Sequence, residues 1–402
     1  MSIEKDIFEG YFGLERETFR VDGANRFASS PHTFRDDHLS RDFCENQLEI
    51  ITPVCESVEE AAASLGALDA KARKTLKPRG EDLWIYSNPP RFETERDITI
   101  AQYKGDQAFR LEYRKQLEKR YGKRVMLYSG VHFNFSFREE FLKRRFKKSG
   151  AKDYREFRDA LYLSLYKKLC RLSWLPVVLT AASPVCDRSF WKDKASGVDF
   201  SGFASLRNSV HGYWNKFVPV LDYSSLDGYI KSLDAYLKRG LLLSPWELYI
   251  PVRIKARAEN SLENLAKSGI DHIELRMFDL NPFEKLGVDI KDLKFAHLLI
   301  VYLLDQKDTS FGRVAQIKAA ENHKNAARYN LSEVFIGKKN IRDAALEVLD
   351  RMEKHFSAFP EAPTVNDIIA YEREKLLGRR LCEKVREAVG SDYDSVAGLR
   401  RG

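Results

Sequence analysis

Short runs of alternating apolar and polar residues recur along much of the chain. In Tyr11–Arg20, for example, Glu15 and Glu17 alternate with Phe12 and Leu14. Successive side chains of a strand point to opposite faces, so such runs predict strands with one apolar and one polar face. The other runs of this kind are Gln47–Thr52, Val131–Phe137, Glu247–Lys255 and Asp271–Phe278.

Segments with helical periodicity lie between these runs, at roughly 56–77, 104–120, 153–172, 227–239 and 289–305, and the tail from about 341 to 388 is mostly helical with a break near Pro360–Pro363. Parallel strands between two helical layers are usually apolar on both faces. The polar faces therefore favour the α+β class, with a mostly antiparallel sheet, helices on its apolar side and a functional surface on the other.

The composition is that of a globular protein, with 44% hydrophobic and 31% charged residues. No low-complexity tract or repeat divides the chain. We expect one domain over residues 1–402, with the sheet in about 10–300 and a helical part in about 300–402. The five cysteines are scattered, which indicates reduced thiols rather than a disulfide frame or a zinc site. The start of the chain lacks the features of a secretion signal, so we expect a cytoplasmic protein that binds no membrane.

A net charge of +8 and a pI near 9.0 are typical either of a nucleic-acid binder or of a protein that binds anionic small molecules. We expect the densest basic run, Lys143–Lys148, to be a solvated helix end or loop. Nucleic-acid binding remains an alternative, but it rests on charge alone and leaves the acidic strand faces unexplained. We therefore expect no nucleic-acid partner.

The polar faces predict a metal site. Glu15 and Glu17 project together from one strand, and Glu49, His132 and Glu274 can join them from neighbouring strands. Asp42 and, more weakly, Glu45 add oxygen atoms from the turn before Gln47. So many carboxylates repel one another unless cations lie among them, and oxygen-rich sets with one imidazole suit Mg²⁺ or Mn²⁺ better than Zn²⁺.

A basic half of the same surface predicts phosphate binding. Tyr249, Arg253 and Lys255 share the polar face of one run, and Arg276 lies on that of another. Carboxylate-bound cations beside arginines are the arrangement that phosphoryl transfer needs. No Gly-rich phosphate loop is present, so ATP would be held by metals and sheet side chains. The alternative is that each polar face is plain solvated surface, which is the better interpretation for one strand alone but not for several matching faces.

Several blocks of sequence also resemble the bacterial type of glutamate–cysteine ligase, in the order found in that family. They are Gly13–Arg20, Arg41–Pro53, Ser129–Ser136, Ser205–Tyr213, Glu247–Arg253 and Ile273–Phe283. The resemblance implies a glutamine-synthetase-like fold, in which a cupped antiparallel sheet with helices on its outer face encloses the site. The chain resembles the ligase part of bifunctional glutathione synthetases and lacks a counterpart of their ATP-grasp domain. We therefore expect no glutathione synthesis within these 402 residues.

The resemblance also implies roles for individual residues. The implied metal ligands are Glu15, Glu17, Asp42, Glu49, His132 and Glu274. Arg276 and Arg253 would face the phosphates, and Arg207 a substrate carboxylate or the transferred phosphoryl group. Phe43, Tyr113 and Tyr213 match positions that line a cysteine pocket, and an aromatic cradle suits a polarizable thiol. The alternatives are core aromatic residues at Phe43 and Tyr113, a structural ion pair at Arg207 and a structural histidine at His132.

The implied reaction uses L-glutamate, L-cysteine and ATP, with Mg²⁺ or Mn²⁺. ATP phosphorylates the γ-carboxylate of glutamate, the amine of cysteine attacks the acyl phosphate, and the products are γ-glutamylcysteine, ADP and phosphate, which is the first step of glutathione biosynthesis. Arg276, Arg207 and Glu274 would be the catalytic groups. A related ligase that uses glutamate with a different amine remains the alternative function. We expect a monomer or a weak homo-oligomer.

Overall fold

A computed structural model describes residues 5–191, 200–257 and 261–401. The first four residues, to which the prediction on a secretion signal also refers, lie outside the described residues. The central element is a seven-stranded sheet. Its strands are β1 (Gly10–Val21), β2 (Leu39–Arg41), β3 (Gln47–Ile51), β4 (Asp82–Trp84), β5 (Val131–Phe137), β6 (Val252–Lys255) and β7 (His272–Phe278).

The strands pair in the order β2-β3-β1-β5-β7-β6, with β4 beside the end of β1, and every pair is antiparallel. The register sets the polar residues of neighbouring strands opposite one another. Glu15 faces His132, and Glu17 faces Glu49. The prediction of an α+β protein with a mostly antiparallel sheet is therefore confirmed. A separate hairpin pairs β8 (Phe335–Ile336) with β9 (Lys339–Asn340).

Twelve α-helices surround the sheet within the described ranges: α1 (Val58–Leu76), α2 (Ala108–Tyr121), α3 (Glu139–Ser149), α4 (Tyr154–Leu172), α5 (Trp174–Thr180), α6 (Leu226–Lys238), α7 (Leu262–Ser268), α8 (Ile290–Leu304), α9 (Arg313–Ala326), α10 (Ile341–Phe356), α11 (Ala362–Leu377) and α12 (Leu381–Val389). Several begin at side-chain caps, in which Ser57, Asp153 or Asp289 accepts a backbone N–H of the first turn. The predicted helices are all present, whereas α3, α5, α7 and α9 were not predicted.

The apolar face of the sheet forms the main core. Leu14, Phe133, Phe135 and Leu275 are each at most 1% exposed and pack in a single cluster with residues of α1, α4 and α8. Burial of such side chains supplies most of the free energy that holds helices against a sheet. This packing leaves the other face of the sheet free for polar residues.

One predicted strand is shorter than its sequence pattern indicates. The run Glu247–Lys255 pairs as a strand only from Val252. Ser244 and Pro245 start a 3₁₀ turn that ends at Glu247, and Pro251 has no N–H to donate to a sheet. Tyr249 therefore does not share a strand face with Arg253 and Lys255. The predicted common face was wrong for that half of the run.

The basic run Lys143–Lys148 forms the C-terminal half of α3, as the prediction of a solvated helix end requires. Arg144 pairs with Asp6, and Arg145 pairs with Asp305. Cations near a helix C-terminus also interact favourably with the helix dipole. Within the parts of the chain that the structure describes, no helix combines the length and the apolar character that crossing a membrane requires.

A buried ion pair interrupts the apolar side of the sheet. Arg16, between Glu15 and Glu17, is fully buried, and it pairs with Asp69 of α1 and donates to the Leu286 carbonyl at 3.0 Å. Asp69 also pairs with Arg73 on the same helix. The pair ties α1 to the point of β1 at which the glutamates project from the opposite face.

We expect Asp69→Asn to lower the free energy of unfolding by about 3 kcal/mol, because it leaves the Arg16 guanidinium buried without its counter-ion. Urea denaturation followed by circular dichroism measures the change. The matched control is Asp234→Asn, which breaks a surface pair with Lys238 on α6 and should cost less than about 0.5 kcal/mol. Equal small losses in both variants would show that the buried pair contributes nothing special.

Candidate active site

A carboxylate–histidine cluster lies at the centre of the polar face, formed by Glu15 on β1, His132 on β5 and Glu274 on β7. The Nδ1 atom of His132 is 3.3 Å from Oε2 of Glu15 and 3.5 Å from Oε1 of Glu274. One ligand atom from each of the three side chains lies within 4.8 Å of the others. His132 and Glu274 are buried, whereas Glu15 is partly exposed. The fold therefore brings together side chains from three adjacent strands, in which β5 pairs with both β1 and β7.

A second set of carboxylates adjoins this cluster. Oε1 of Glu17 is 3.5 Å from Nε2 of His132, and its other oxygen accepts the Gly130 N–H at 3.0 Å. Glu49 lies directly opposite Glu17 in the ladder. Burial, with the charge of Asp42 added to it, raises the pKa of Glu17 to about 7, and burial beside Glu15 and Asp42 raises the pKa of Glu49 strongly. These side chains are therefore crowded with negative charge when they are ionised.

Glu274 is the most deeply buried of the carboxylates, with no exposed surface. Burial alone would raise its pKa, but the charges of Lys255 and Arg276 outweigh burial and hold the pKa well below its usual range. Lys255 Nζ and Arg276 Nη1 lie 3.3 and 3.1 Å from Oε1. The other oxygen, Oε2, is buried and has no hydrogen-bond partner among the described residues.

The donor set fits a divalent cation. Burial and the charge of Arg276 lower the pKa of His132 to about 4, so the ring is neutral at pH 7 and has a lone pair to offer a metal. The unpartnered Glu274 oxygen is an unsatisfied acceptor, a state that usually costs free energy in a protein interior. Carboxylate oxygens with one imidazole are a set that suits Mg²⁺ or Mn²⁺. The residues present are therefore compatible with a metal at this point.

Guanidinium groups border the cluster on one side. Arg207, in an irregular segment, donates to the Arg276 carbonyl at 2.5 Å, and its Nη2 is 3.4 Å from Nε2 of His132. Arg253 on β6 is fixed differently, because its guanidinium donates to the carbonyls of Leu248 and Trp246. Arg207 and Arg276 therefore face the cluster, while Arg253 is held at the edge, 4.0 Å from Glu274 Oε2.

Aromatic side chains lie beside these arginines. Phe43 is buried in a second apolar cluster, and Tyr113 and Tyr213 pack against that cluster. The rings of Tyr213 and Tyr249 are 3.9 Å apart, and both side chains line a cavity with Arg207 and Arg276. Burial raises the pKa values of Tyr113 and Tyr213, so their phenols are neutral at pH 7. The cavity is thus aromatic on one side and cationic on the other.

The family model for glutamate–cysteine ligase matches residues 2–241 and 235–326. The chain belongs to the glutamate–cysteine ligase family. The glutathione biosynthesis bifunctional protein of Listeria welshimeri is 36% identical over an alignment of 399 residues, and the match covers 94% of this chain and 51% of that protein. The corresponding protein of Clostridium perfringens is 33% identical over an alignment of 374 residues, and the match covers 88% of this chain and 48% of that protein. The chain thus spans about half the length of these relatives.

Two solved structures share the fold of this member of the glutamate–cysteine ligase family. The bifunctional glutathione synthetase of Pasteurella multocida has a TM-score of 0.85 and 25% identity, and the match covers 98% of this chain and 52% of that one. The glutamate–cysteine ligase of Francisella tularensis, solved in complex with AMP, has a TM-score of 0.85 and 23% identity, with 98% and 88% coverage. The predicted family and the predicted fold are both confirmed.

Two predicted site residues lie elsewhere than the sequence pattern indicated. The carboxylate of Glu45, a weaker candidate for a metal ligand, is held by Arg41 and by the backbone N–H groups of His32 and Gln102. It is therefore already satisfied. Tyr249, predicted on a strand face with Arg253 and Lys255, precedes that strand, and its ring packs on Tyr213 in the cavity that Arg207 and Arg276 also line. The 3₁₀ turn described above is the reason.

Sequence reasoning also missed polar residues that shape the site. Asn134 donates to Oε1 of Glu15 at 3.0 Å and so orients that carboxylate. Arg114 on α2 donates to the carbonyl of Asp42 at 2.5 Å. Asn134 shares the polar face of Val131–Phe137 with His132, which is a signal that could have identified it. Arg114 reaches the site only through the tertiary packing of its helix, so no local pattern marks it.

We expect Glu274→Gln to weaken Mn²⁺ binding by at least about tenfold, because one anionic ligand is lost from the carboxylate–histidine cluster. Titration of free Mn²⁺ by electron paramagnetic resonance measures the affinity, and thermal melting checks the fold. Glu45→Gln is the matched control, since that carboxylate has other partners, and it should bind Mn²⁺ like the wild type. Unchanged affinity in Glu274→Gln would remove this residue from the ligand set.

Proposed function

We propose that the protein joins the γ-carboxylate of glutamate to the amine of cysteine at the expense of ATP, giving γ-glutamylcysteine. The observation that supports this most directly is the carboxylate–histidine cluster facing Arg207 and Arg276, in a chain of the glutamate–cysteine ligase family. Acidic and basic groups side by side on one buried face are what transfer of a phosphoryl group to a carboxylate requires.

Glu15, His132 and Glu274 would hold one divalent cation, and Glu17, Glu49 and Asp42 are the candidates for further ones. Bound there, Mg²⁺ would supply positive charge that lets the phosphates of ATP and the γ-carboxylate of glutamate approach each other. We propose Mg²⁺ as the metal, with Mn²⁺ as the alternative, because both prefer oxygen ligands.

Two arginines of the candidate site would act on the transferred phosphoryl group. Arg276, 3.1 Å from Glu274, and Arg207 would donate to the equatorial oxygens of the phosphoryl group as negative charge spreads over them. Arg253 and Lys255, at the edge of the sheet, would bind the remaining phosphates of ATP. The acyl phosphate forms on glutamate rather than on the enzyme, so the proposal needs no nucleophilic side chain.

The acceptor would bind in the aromatic part of the cavity. Tyr213 and Tyr249 line this cavity with neutral, polarizable rings, which suit a small thiol. Phe43 and Tyr113, which the family resemblance also implies for the pocket, lie in and against the neighbouring apolar cluster. A different amine acceptor is the alternative function, and the aromatic walls favour cysteine over a charged amine.

We expect the purified protein to convert Mg-ATP, glutamate and cysteine into γ-glutamylcysteine, ADP and phosphate, with the three products formed in equal amounts. Mass spectrometry of the reaction mixture identifies the product, and omission of each component in turn gives the controls. If a panel of amines shows glutamate-dependent ATP hydrolysis with another amine and none with cysteine, the alternative acceptor replaces cysteine. No ligation product with any amine would refute the proposed function.

We expect Tyr213→Ala to raise KM for cysteine by about tenfold or more and to change KM for glutamate by less than about twofold. The variant removes one wall of the acceptor pocket, and a large aromatic wall contributes on the order of 1–3 kcal/mol of contact. Initial rates with each substrate varied in turn measure both constants. Tyr154→Ala, a half-buried tyrosine on α4 that contacts Phe146, is the control and should alter neither. Equal loss for both substrates would contradict the pocket assignment.

A further inference from the structure

Arg207 is buried, yet it lies in an irregular turn, Ser205–Gly212, that belongs to none of the helices or the named strands. A buried guanidinium whose backbone lacks regular hydrogen bonds needs other groups to fix its position, since a long side chain has many rotamers to lose. The groups around the turn supply two separate constraints, one on its backbone and one on the side chain.

The carboxylate of Asp279 constrains the backbone. Its Oδ1 accepts the Ser205 hydroxyl at 2.9 Å and the Asn208 amide at 3.3 Å, so it holds the turn on both sides of Arg207. Its Oδ2 accepts the Ala182 N–H and the Ser183 hydroxyl at 3.0 and 2.7 Å. Asp279 directly follows β7, the strand that carries Glu274 and Arg276.

Asn208 adds a second connection to the same strand. Its side-chain amide donates to the Met277 carbonyl at 3.0 Å, and its Oδ1 lies 3.2 Å from Nε2 of the buried His323. Both ends of the Asn208 side chain are therefore bound. The position of the Arg207 turn is thereby set relative to β7 rather than to its neighbours in sequence.

Gly130 constrains the side chain. A Cβ atom at Gly130 would lie 2.5 Å from Cζ of Arg207 and 2.7 Å from its Nε and Nη2. The guanidinium can therefore lie against β5, beside His132, only because position 130 has no side chain. The conflict is with the end of a flexible side chain, so alanine should fold and displace the guanidinium. At Gly212, by contrast, a Cβ would be 1.8 Å from the Arg207 carbonyl oxygen, which is backbone.

We propose that Gly130 and Asp279 are positioning residues that together hold the Arg207 guanidinium against the carboxylate–histidine cluster. Neither residue would touch the transferred phosphoryl group, and both would act on it through Arg207. The backbone N–H of Gly130 that donates to Glu17 is kept when alanine replaces the glycine. The inference rests on the proposed function, in which Arg207 binds the transferred phosphoryl group. Asp279 fixes where the turn lies, and Gly130 leaves the space into which its side chain reaches.

The first test is a double-mutant cycle of Gly130→Ala and Arg207→Ala. We expect Gly130→Ala to lower kcat on the order of 10²-fold, comparable to Arg207→Ala, with KM for cysteine changed by less than about twofold. In the Arg207→Ala background, Gly130→Ala should cause no further loss, since the side chain that it displaces is absent. Wild-type kcat in Gly130→Ala, or losses that multiply in the double variant, would overturn the proposal.

The second test compares two aspartates that are each 3% exposed. Asp279→Asn puts an amide against the donors that now bind the carboxylate and should lower kcat at least about tenfold, again without further loss in the Arg207→Ala background. Asp292→Asn, which breaks a buried pair with Lys375 between α8 and α11, should lower the melting temperature and leave kcat unchanged. Equal effects of the two variants on kcat would show that Asp279 acts only through overall stability.

A crystal structure of Gly130→Ala separates this inference from the proposed function. We expect the Arg207 guanidinium to have left its contacts with the Arg276 carbonyl and His132, with the sheet unchanged. An unmoved guanidinium would refute the positioning role even in an active ligase. If the wild-type protein forms no γ-glutamylcysteine, the proposed function fails, and the position of Arg207 in this variant still decides the inference.

Discussion

The organisation of this protein depends on keeping an ionised carboxylate stable in its interior. Glu274 has no exposed surface, and removing such a group from water costs several kcal/mol unless opposite charges surround it. Lys255, Arg276 and Arg253 lie within 4.0 Å of its oxygens and supply that charge. Arg253 and Lys255 reach it because β6 pairs with β7 so that Arg253 lies opposite Glu274, and Arg276 lies two residues further along β7 itself. The strand register is therefore also an electrostatic requirement.

The two faces of the sheet differ in how they keep buried charges compensated. On the helix side, phenylalanine and leucine side chains exclude water and make the interior a poor solvent for charge. Arg16 is the exception, and Asp69 of α1 neutralises it. On the other face, carboxylates and cations lie side by side, and Oε2 of Glu274 has no hydrogen-bond partner among the described residues. That face is stable because most of its charges are mutually compensated, and the remaining acceptor is the position where we propose a divalent cation.

The carboxylate–histidine cluster and Arg207, which faces it, come from different kinds of structure. Glu15, His132 and Glu274 project from strands whose ladder hydrogen bonds fix their spacing. Arg207 and Tyr213 come from an irregular segment that depends on side-chain contacts for its position. A metal ligand tolerates little movement, so rigid strands suit the role proposed for these three side chains. Arg207, proposed to bind the transferred phosphoryl group, lies instead on a turn held by Asp279 and Asn208.

The alternation of polar and apolar residues by itself determined β1, β3, β5 and β7, their two faces and the class of the fold, whereas β2 and β4, of three residues each, were not predicted. A strand has a side-chain period of two residues, so the faces of β1, β5 and β7 could be written down without coordinates, and so could the convergence of Glu15, His132 and Glu274. The starts of several helices are equally local features, because a capping residue such as Ser57 or Asp153 bonds the first turn of the helix that follows it. The family resemblance of the sequence blocks supplied the roles that these patterns alone could not.

Only the tertiary structure decided which side chains from elements distant in sequence contact one another. Pro245 and Pro251 end the strand pattern around Tyr249, and the ring then finds its place by packing on Tyr213 rather than by strand geometry. The burial of Arg16 against Asp69 contradicts its polar character and is explained only by a partner 53 residues away. Gly130 is ordinary in the sequence, and its importance follows from the side chain of Arg207 that crosses it. Such contacts depend on how whole helices and strands pack, so the periodicity of a single segment cannot predict them.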